Sequence, residues 1–183
     1  MKLKLPHVPY VSNKVVVDLL ASSSMKFTKG TEEVKEIATY FLEEDVLMEK
    51  ELEAEVELKL DDNEDEIEFM RVDRRSLFWL AKKKLAFEKK FELNFDDRYN
   101  IIATNILANL KRRKVIEYGT TDNQVKNIIF NAIMSYLNSF EDIEGEVIDK
   151  IQSLEKSPRA GSEEFELLFE KLYKMELEKK GLL

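Results

Sequence analysis

The chain has 183 residues, 44% of them apolar and 36% charged, with five glycines, three prolines, one histidine, no cysteine and a formal charge of −8. This composition fits a soluble, helix-rich chain and excludes a disordered or turn-dense all-β one. Without cysteine there is no disulfide framework, thiolate zinc site or cysteine nucleophile, and a cytoplasmic, reducing setting is the expectation. The length suits one ordinary domain or two small ones sharing a core.

The N-terminus is basic but soon meets Pro6 and Pro9, and it lacks the apolar stretch of a signal peptide. Those prolines suit a helix's first turn, and the pattern predicts a first helix over residues 8–20 with Val11, Val15 and Leu19 on one face. Ser22, Ser23 and Ser24 end it. Residues 25–27 read as a short extended link, and Lys29-Gly30-Thr31 as a turn that caps the next helix. Val34, Ile37, Ala38, Phe41, Met48, Leu52 and Val56 recur at helical steps, predicting a long helix over 32–60 with a bend near 43–46. Asp61-Asp62-Asn63 breaks it. A third helix, read as straight over 64–91, carries two apolar stripes, and two stripes imply two packing partners. The first is Ile67, Met70, Leu77, Phe78, Ala81 and Leu85; the second is Phe69, Leu80 and Phe87.

From Asp96 the pattern begins again with a period of about 91 residues. Val11, Val15 and Leu19 fall on Ile102, Ile106 and Leu110; residues 25–27 fall on 116–118; Leu52, Val56 and Leu60 fall on Ile143, Val147 and Ile151. With one residue gained in a loop, Leu77, Leu80, Ala81 and Leu85 fall on Phe169, Leu172, Tyr173 and Leu177. The expectation is an all-α protein of two tandem, similar three-helix halves, residues 1–92 and 93–183, packed as one pseudo-symmetric unit with short extended links at 25–27 and 116–118. Thr121-Asp122-Asn123-Gln124 is a capping-box pattern, Ser162 caps a final helix whose first turn holds Glu163 and Glu164, and Gly181 stops it. The most apolar run, 128–137, holds Asn131 and Ser135 and falls far short of the ~20 residues of a membrane span.

Three stretches carry a resemblance: Lys4-Leu5-Pro6-His7-Val8-Pro9-Tyr10-Val11, the block from Asp65 to Arg75 with Leu77-Phe78-Trp79 and Lys82 to Ala86, and Glu178-Lys179-Lys180-Gly181. In these the chain resembles, over essentially its whole length, a bacterial protein family known as domain of unknown function five-hundred-seven. The resemblance implies a small helical cytoplasmic protein with shorter relatives similar to a single half. It brings no activity, cofactor or active site. Met175 stands where the family pattern has an acid.

The chemical inventory is thin. His7 alone excludes His-Glu-x-x-His zinc sites and any multi-histidine centre, and a serine triad would have to pair His7 with Ser12 or Ser22 to Ser24. No Gly-x-Gly-x-x-Gly or Gly-x-x-x-x-Gly-Lys cradle is present. Neither a cofactor nor a metal-ligand set is read. Residues 43–68 hold fourteen acids against Lys50 and Lys59, for a net of −12, but Asp61 to Asp65 lacks the glycine and glutamate spacing of a calcium loop. Residues 71–90 hold eight bases against two acids, for a net of +6. A hairpin would set acid against base. Arg74, read inside the main apolar stripe, then needs a carboxylate from the second helix or from Asp96 or Asp97.

Trp79 lies off both stripes, beside Arg75, Lys82 and Lys83. Either the second half covers it, or it is an exposed anchor for a protein partner or for stacked single-stranded nucleic acid. Arg71, Arg75, Trp79, Lys82 and Lys83 form the candidate interaction surface, because the last helix carries Glu163, Glu164, Glu166 and Glu170 in their place. The functional expectation is a non-catalytic interaction or scaffold module, monomer or homodimer, with an unidentified protein partner and no membrane. A nucleic-acid-associated protein is the alternative, and an enzyme with a carboxylate-bound metal the third.

Overall fold

A computed structural model of the chain describes residues 2–154 and 156–180. Gly181, expected to stop the last helix, lies outside the described residues. The protein is mostly helical. A 3-10 turn (Leu5–His7) leads into α1 (Val8–Ala21), followed by β1 (Met25–Phe27), α2 (Thr31–Asp61), α3 (Glu64–Met70), α4 (Arg74–Glu88), α5 (Phe95–Arg112), β2 (Ile116–Tyr118), α6 (Asp122–Gln152) and α7 (Glu163–Lys179). Among the described residues no helix is long and apolar enough to cross a membrane.

The local chemistry explains the boundaries. Thr121 Oγ1 accepts from the Gln124 N–H and Gln124 Oε1 from the Thr121 N–H, each at 3.3 Å, which closes the capping box at the start of α6. Ser162 Oγ accepts from the Phe165 N–H at 3.2 Å at the start of α7. Gly30 precedes α2 at φ +95°, a conformation that favours glycine. The two extended links pair with each other as an antiparallel ribbon, Met25 opposite Tyr118 and Phe27 opposite Ile116. The Thr28 N–H donates to Val115 O at 2.9 Å and the Gly119 N–H to Ser24 O at 3.1 Å, so both ends of the ribbon are tied.

The straight third helix is corrected. The chain breaks at Arg71, which adopts φ 53°, and starts again at Asp73, whose carboxylate accepts from the Ser76 N–H at 2.9 Å and the Ser76 hydroxyl at 2.7 Å. Ile67 and Phe69 therefore sit on a different helix from Leu77 to Leu85, and no continuous stripe joins them. Within α2, Met48 faces solvent, while Leu42 and Val46 are buried in the main core.

That core is made by α1, the first half of α2, α5 and the whole of α6, with α7 laid on α6 through Phe165, Leu168, Phe169, Leu172 and Tyr173. The second half of α2 runs on to carry α4. There Leu52, Val56 and Leu60 pack with Leu85 and Ala86 in a smaller apolar cluster of their own. We call this α2–α3–α4 projection the arm.

Candidate functional site: the arm and its charged root

Between the main core and the arm's small cluster lies a layer of buried charge. Arg98, on α5, donates from Nε and Nη2 to the two Asp45 oxygens at 2.7 and 2.6 Å, and from Nη1 to Glu49 Oε2 at 2.8 Å. The other Glu49 oxygen accepts from Lys82 Nζ at 2.8 Å, and Lys82 also donates to Glu53 at 2.7 Å. Lys2 donates to the second Glu53 oxygen at 2.7 Å. Asp45, Glu49, Lys82 and Arg98 are all buried. One face of the guanidinium is covered by the Phe91 ring at 4.4 Å.

Burial pushes the Asp45 carboxyl above its ordinary range, outweighing the hydrogen bond and charge of Arg98. For Glu49 burial acts in the same direction, but the hydrogen bonds from Lys82 and Arg98 overcome it and hold the group below its usual value. Lys82 is raised: burial opposes its charge, and the two glutamates more than offset that. Pairing thus favours the charged forms of Glu49 and Lys82 while burial works against that of Asp45, and the layer links α5, α2 and α4 by directional bonds.

Lys82 is accordingly a correction. Expected on the outer surface, it points inward and bridges two helices, because α4 turns its 78–82–85 side to α2. Arg74 is the first residue of α4, not an interior member of an apolar stripe. It donates to Glu57 at 2.8 Å and Asp61 at 2.5 Å, both on α2, and stays partly exposed. Trp79 is 55% exposed, so the second half does not cover it. Its ring meets Phe78 edge-on at 5.8 Å and lies 5.2 Å from Lys82 Nζ. Beside it an open groove of about 560 Å³ is lined by Glu57, Asp73, Arg74, Arg75, Phe78 and Trp79.

Arg71, Arg75 and Lys83 are exposed and enter no ion pair among the described residues, as are and do Lys84 and Lys90. The second stripe read from the sequence stays open: Phe69, Leu80 and Phe87 are 88%, 66% and 86% exposed. The structure thus brings Arg75, Trp79 and Lys83 to one exposed side of α4 with Leu80 and Phe87, and removes Lys82 from it. Among the described residues no group of three or more His, Asp or Glu is placed to hold a metal ion.

Sequence reasoning missed Arg98 and read Asp45 and Glu49 as part of a solvated acid run. The available signal was position. All three fall on the apolar sides of their helices, among residues such as Leu42, Val46, Leu52 and Ile102.

The described residues make a mostly helical protein with an ionic root, a projecting arm and a half-apolar, basic outer face on α4. The chain belongs to the family described as Protein of unknown function (DUF507), whose model matches residues 1–182. No curated protein matches the chain.

Proposed function

We propose that this protein is a non-catalytic cytoplasmic interaction or scaffold module that binds a protein partner through the outer side of α4. The observation that carries the reading is that α4 buries one side against α2 and leaves the other, with Trp79, Leu80 and Phe87, in solvent among unpaired Arg75, Lys83 and Lys84. An exposed tryptophan with neighbouring arginine and apolar side chains is the composition of an interface centre. The root positions this face by pairing Lys82 with Glu49 and Glu53 instead of leaving the arm to its small apolar cluster.

The reading includes two related halves, residues 1–92 and 93–183. Its support is the spacing: α2 and α6 begin 91 residues apart and have the same length, and β1 and β2 begin 91 residues apart. Lys26 pairs with Glu117, so each strand's central residue meets its counterpart. On this reading the halves share an architecture and differ in charge, which assigns the binding face to one of them.

The test is a tagged recovery from cells, with and without nuclease, of the wild type and of Leu80→Glu/Phe87→Glu. One stoichiometric, nuclease-resistant protein, lost in the variant, is the expected result. Nuclease-sensitive recovery that weakens steeply with salt would replace this reading by the nucleic-acid one, in which Trp79 stacks on bases in the Arg74–Arg75 groove.

A further inference from the structure

A second ridge stays open along α2, from its first half out onto the arm, on the side away from α4. On α2, Tyr40, Leu47, Ala54 and Leu58 recur at seven- and four-residue steps, about half a turn around from Val56 of the inner cluster. Tyr40, Leu47 and Leu58 are 58%, 45% and 63% exposed. Glu43, Glu44, Glu51 and Asp62 flank this ridge together with one base, Lys50; all five are exposed and enter no ion pair among the described residues. The α4 ridge is the opposite in sign: Leu80 and Phe87, also one heptad apart, lie between Lys83, Lys84 and Lys90.

We propose, building on the interaction reading above, that a partner of this face is a second copy of the chain. The basic Leu80–Phe87 ridge of one copy docks on the acidic Tyr40–Leu58 ridge of the next. Both ridges present apolar side chains at seven-residue steps, so two helices interdigitate along them, and the flanking lysines of one meet the flanking glutamates of the other. Pairing like ridges would set Lys83 and Lys84 against their own copies. The docked surfaces differ and lie on opposite sides of the arm, so the contact is heterologous. Each added copy leaves one ridge of each sign free, giving a ring or an open chain.

The test is sedimentation of the full-length protein and two variants, Leu80→Glu/Phe87→Glu and Leu47→Lys/Leu58→Lys. All four positions are exposed, and unchanged helical circular dichroism verifies folding. The wild-type mass should rise above the 21.5 kDa monomer with concentration. It should fall back in ~1 M salt, where the screening length is about 3 Å. Each variant alone should stay monomeric. Mixed in equal amounts they should form a one-to-one dimer and stop, because one keeps the acidic ridge and the other the basic ridge. A wild type that stays monomeric at every concentration overturns the proposal, as does a mixture that fails to dimerise. If the wild type is monomeric and the cellular recovery still yields a stoichiometric protein lost in the α4 variant, self-assembly is refuted and the interaction reading survives.

Discussion

Two buried layers of this protein, whose residues stand 91 positions apart in the sequence, are filled in opposite ways. In one, Arg98 lies between Asp45 and Glu49; in the other, His7 stacks on Phe140 with ring centroids 4.3 Å apart, and Phe140 meets Tyr136 at 4.5 Å and Tyr173 at 6.3 Å. The aromatic layer merges α7 with the main core, because burial of apolar ring surface is non-directional and extends the core continuously. The ionic layer separates: the apolar surface of the arm beyond it forms its own small cluster. Charges in low dielectric are expensive unless paired, and here their pairing fixes α4 at a set angle while keeping it out of the core. One chain thus makes one end sealed and the other available.

The largest effect expected from breaking this comparison is at Arg98. Arg98→Met strands Asp45 and Glu49 without the guanidinium and should cost ~3–5 kcal/mol by urea denaturation. Adding Asp45→Leu should return part of that loss. A cost under about 1 kcal/mol would mean that water, not Arg98, satisfies the carboxylates.

The aromatic layer breaks with acid. Burial first and the Lys4 charge second lower the His7 pKa from 6.5 to about 4. Between those values the unfolded chain binds the proton and the folded one does not, so stability is complete above about pH 6.5 and falls as pH drops. The full loss is about 3 kcal/mol. His7→Phe should reduce the fall of the urea midpoints between about pH 6.5 and 4.5, where the wild-type imidazole would otherwise bind its proton only on unfolding. An unchanged slope would place His7 in water.

The smallest effect belongs to the outer face. Trp79→Ala should cost under ~1 kcal/mol, against the ~3–5 kcal/mol of a buried aromatic, and the single tryptophan should be readily quenched by acrylamide in the wild type. A large loss with weak quenching would mean that something covers the ring after all.

Much of the fold is legible in the sequence because its signals are local. The Thr121 box and the Ser162 cap are three-residue chemistry, and the long helices repeat their apolar steps over eight turns. Three helix ends are not legible for an equally local reason. Arg71, Lys90 and Lys114 adopt φ of 53°, 56° and 52°, the left-handed conformation where glycine is the usual signal. The following N–H of Val72, Phe91 or Val115 reaches back to the carbonyl of Ile67, Ala86 or Leu110, the backbone bond that closes such a helix end without a glycine. The charged root was hidden because Asp45 and Glu49 sit inside a strongly acidic run, where two carboxylates that point inward look like their neighbours. Only their place among Leu42, Val46 and Leu52 distinguishes them. Lys82 was misplaced for the converse reason, since a helical wheel puts it beside Arg75 without knowing which way α4 faces.

The position of α1 has a kinetic consequence. Val11, Val15 and Leu19 are completely buried, and α1 packs on α6, which begins about a hundred residues after α1 ends. During synthesis this apolar stripe therefore waits, partly uncovered, until the ribosome has made most of the chain. In refolding, closing so long a loop must precede the contacts that reward it, and this protein should fold more slowly than a helical bundle whose neighbours in sequence are also its neighbours in space.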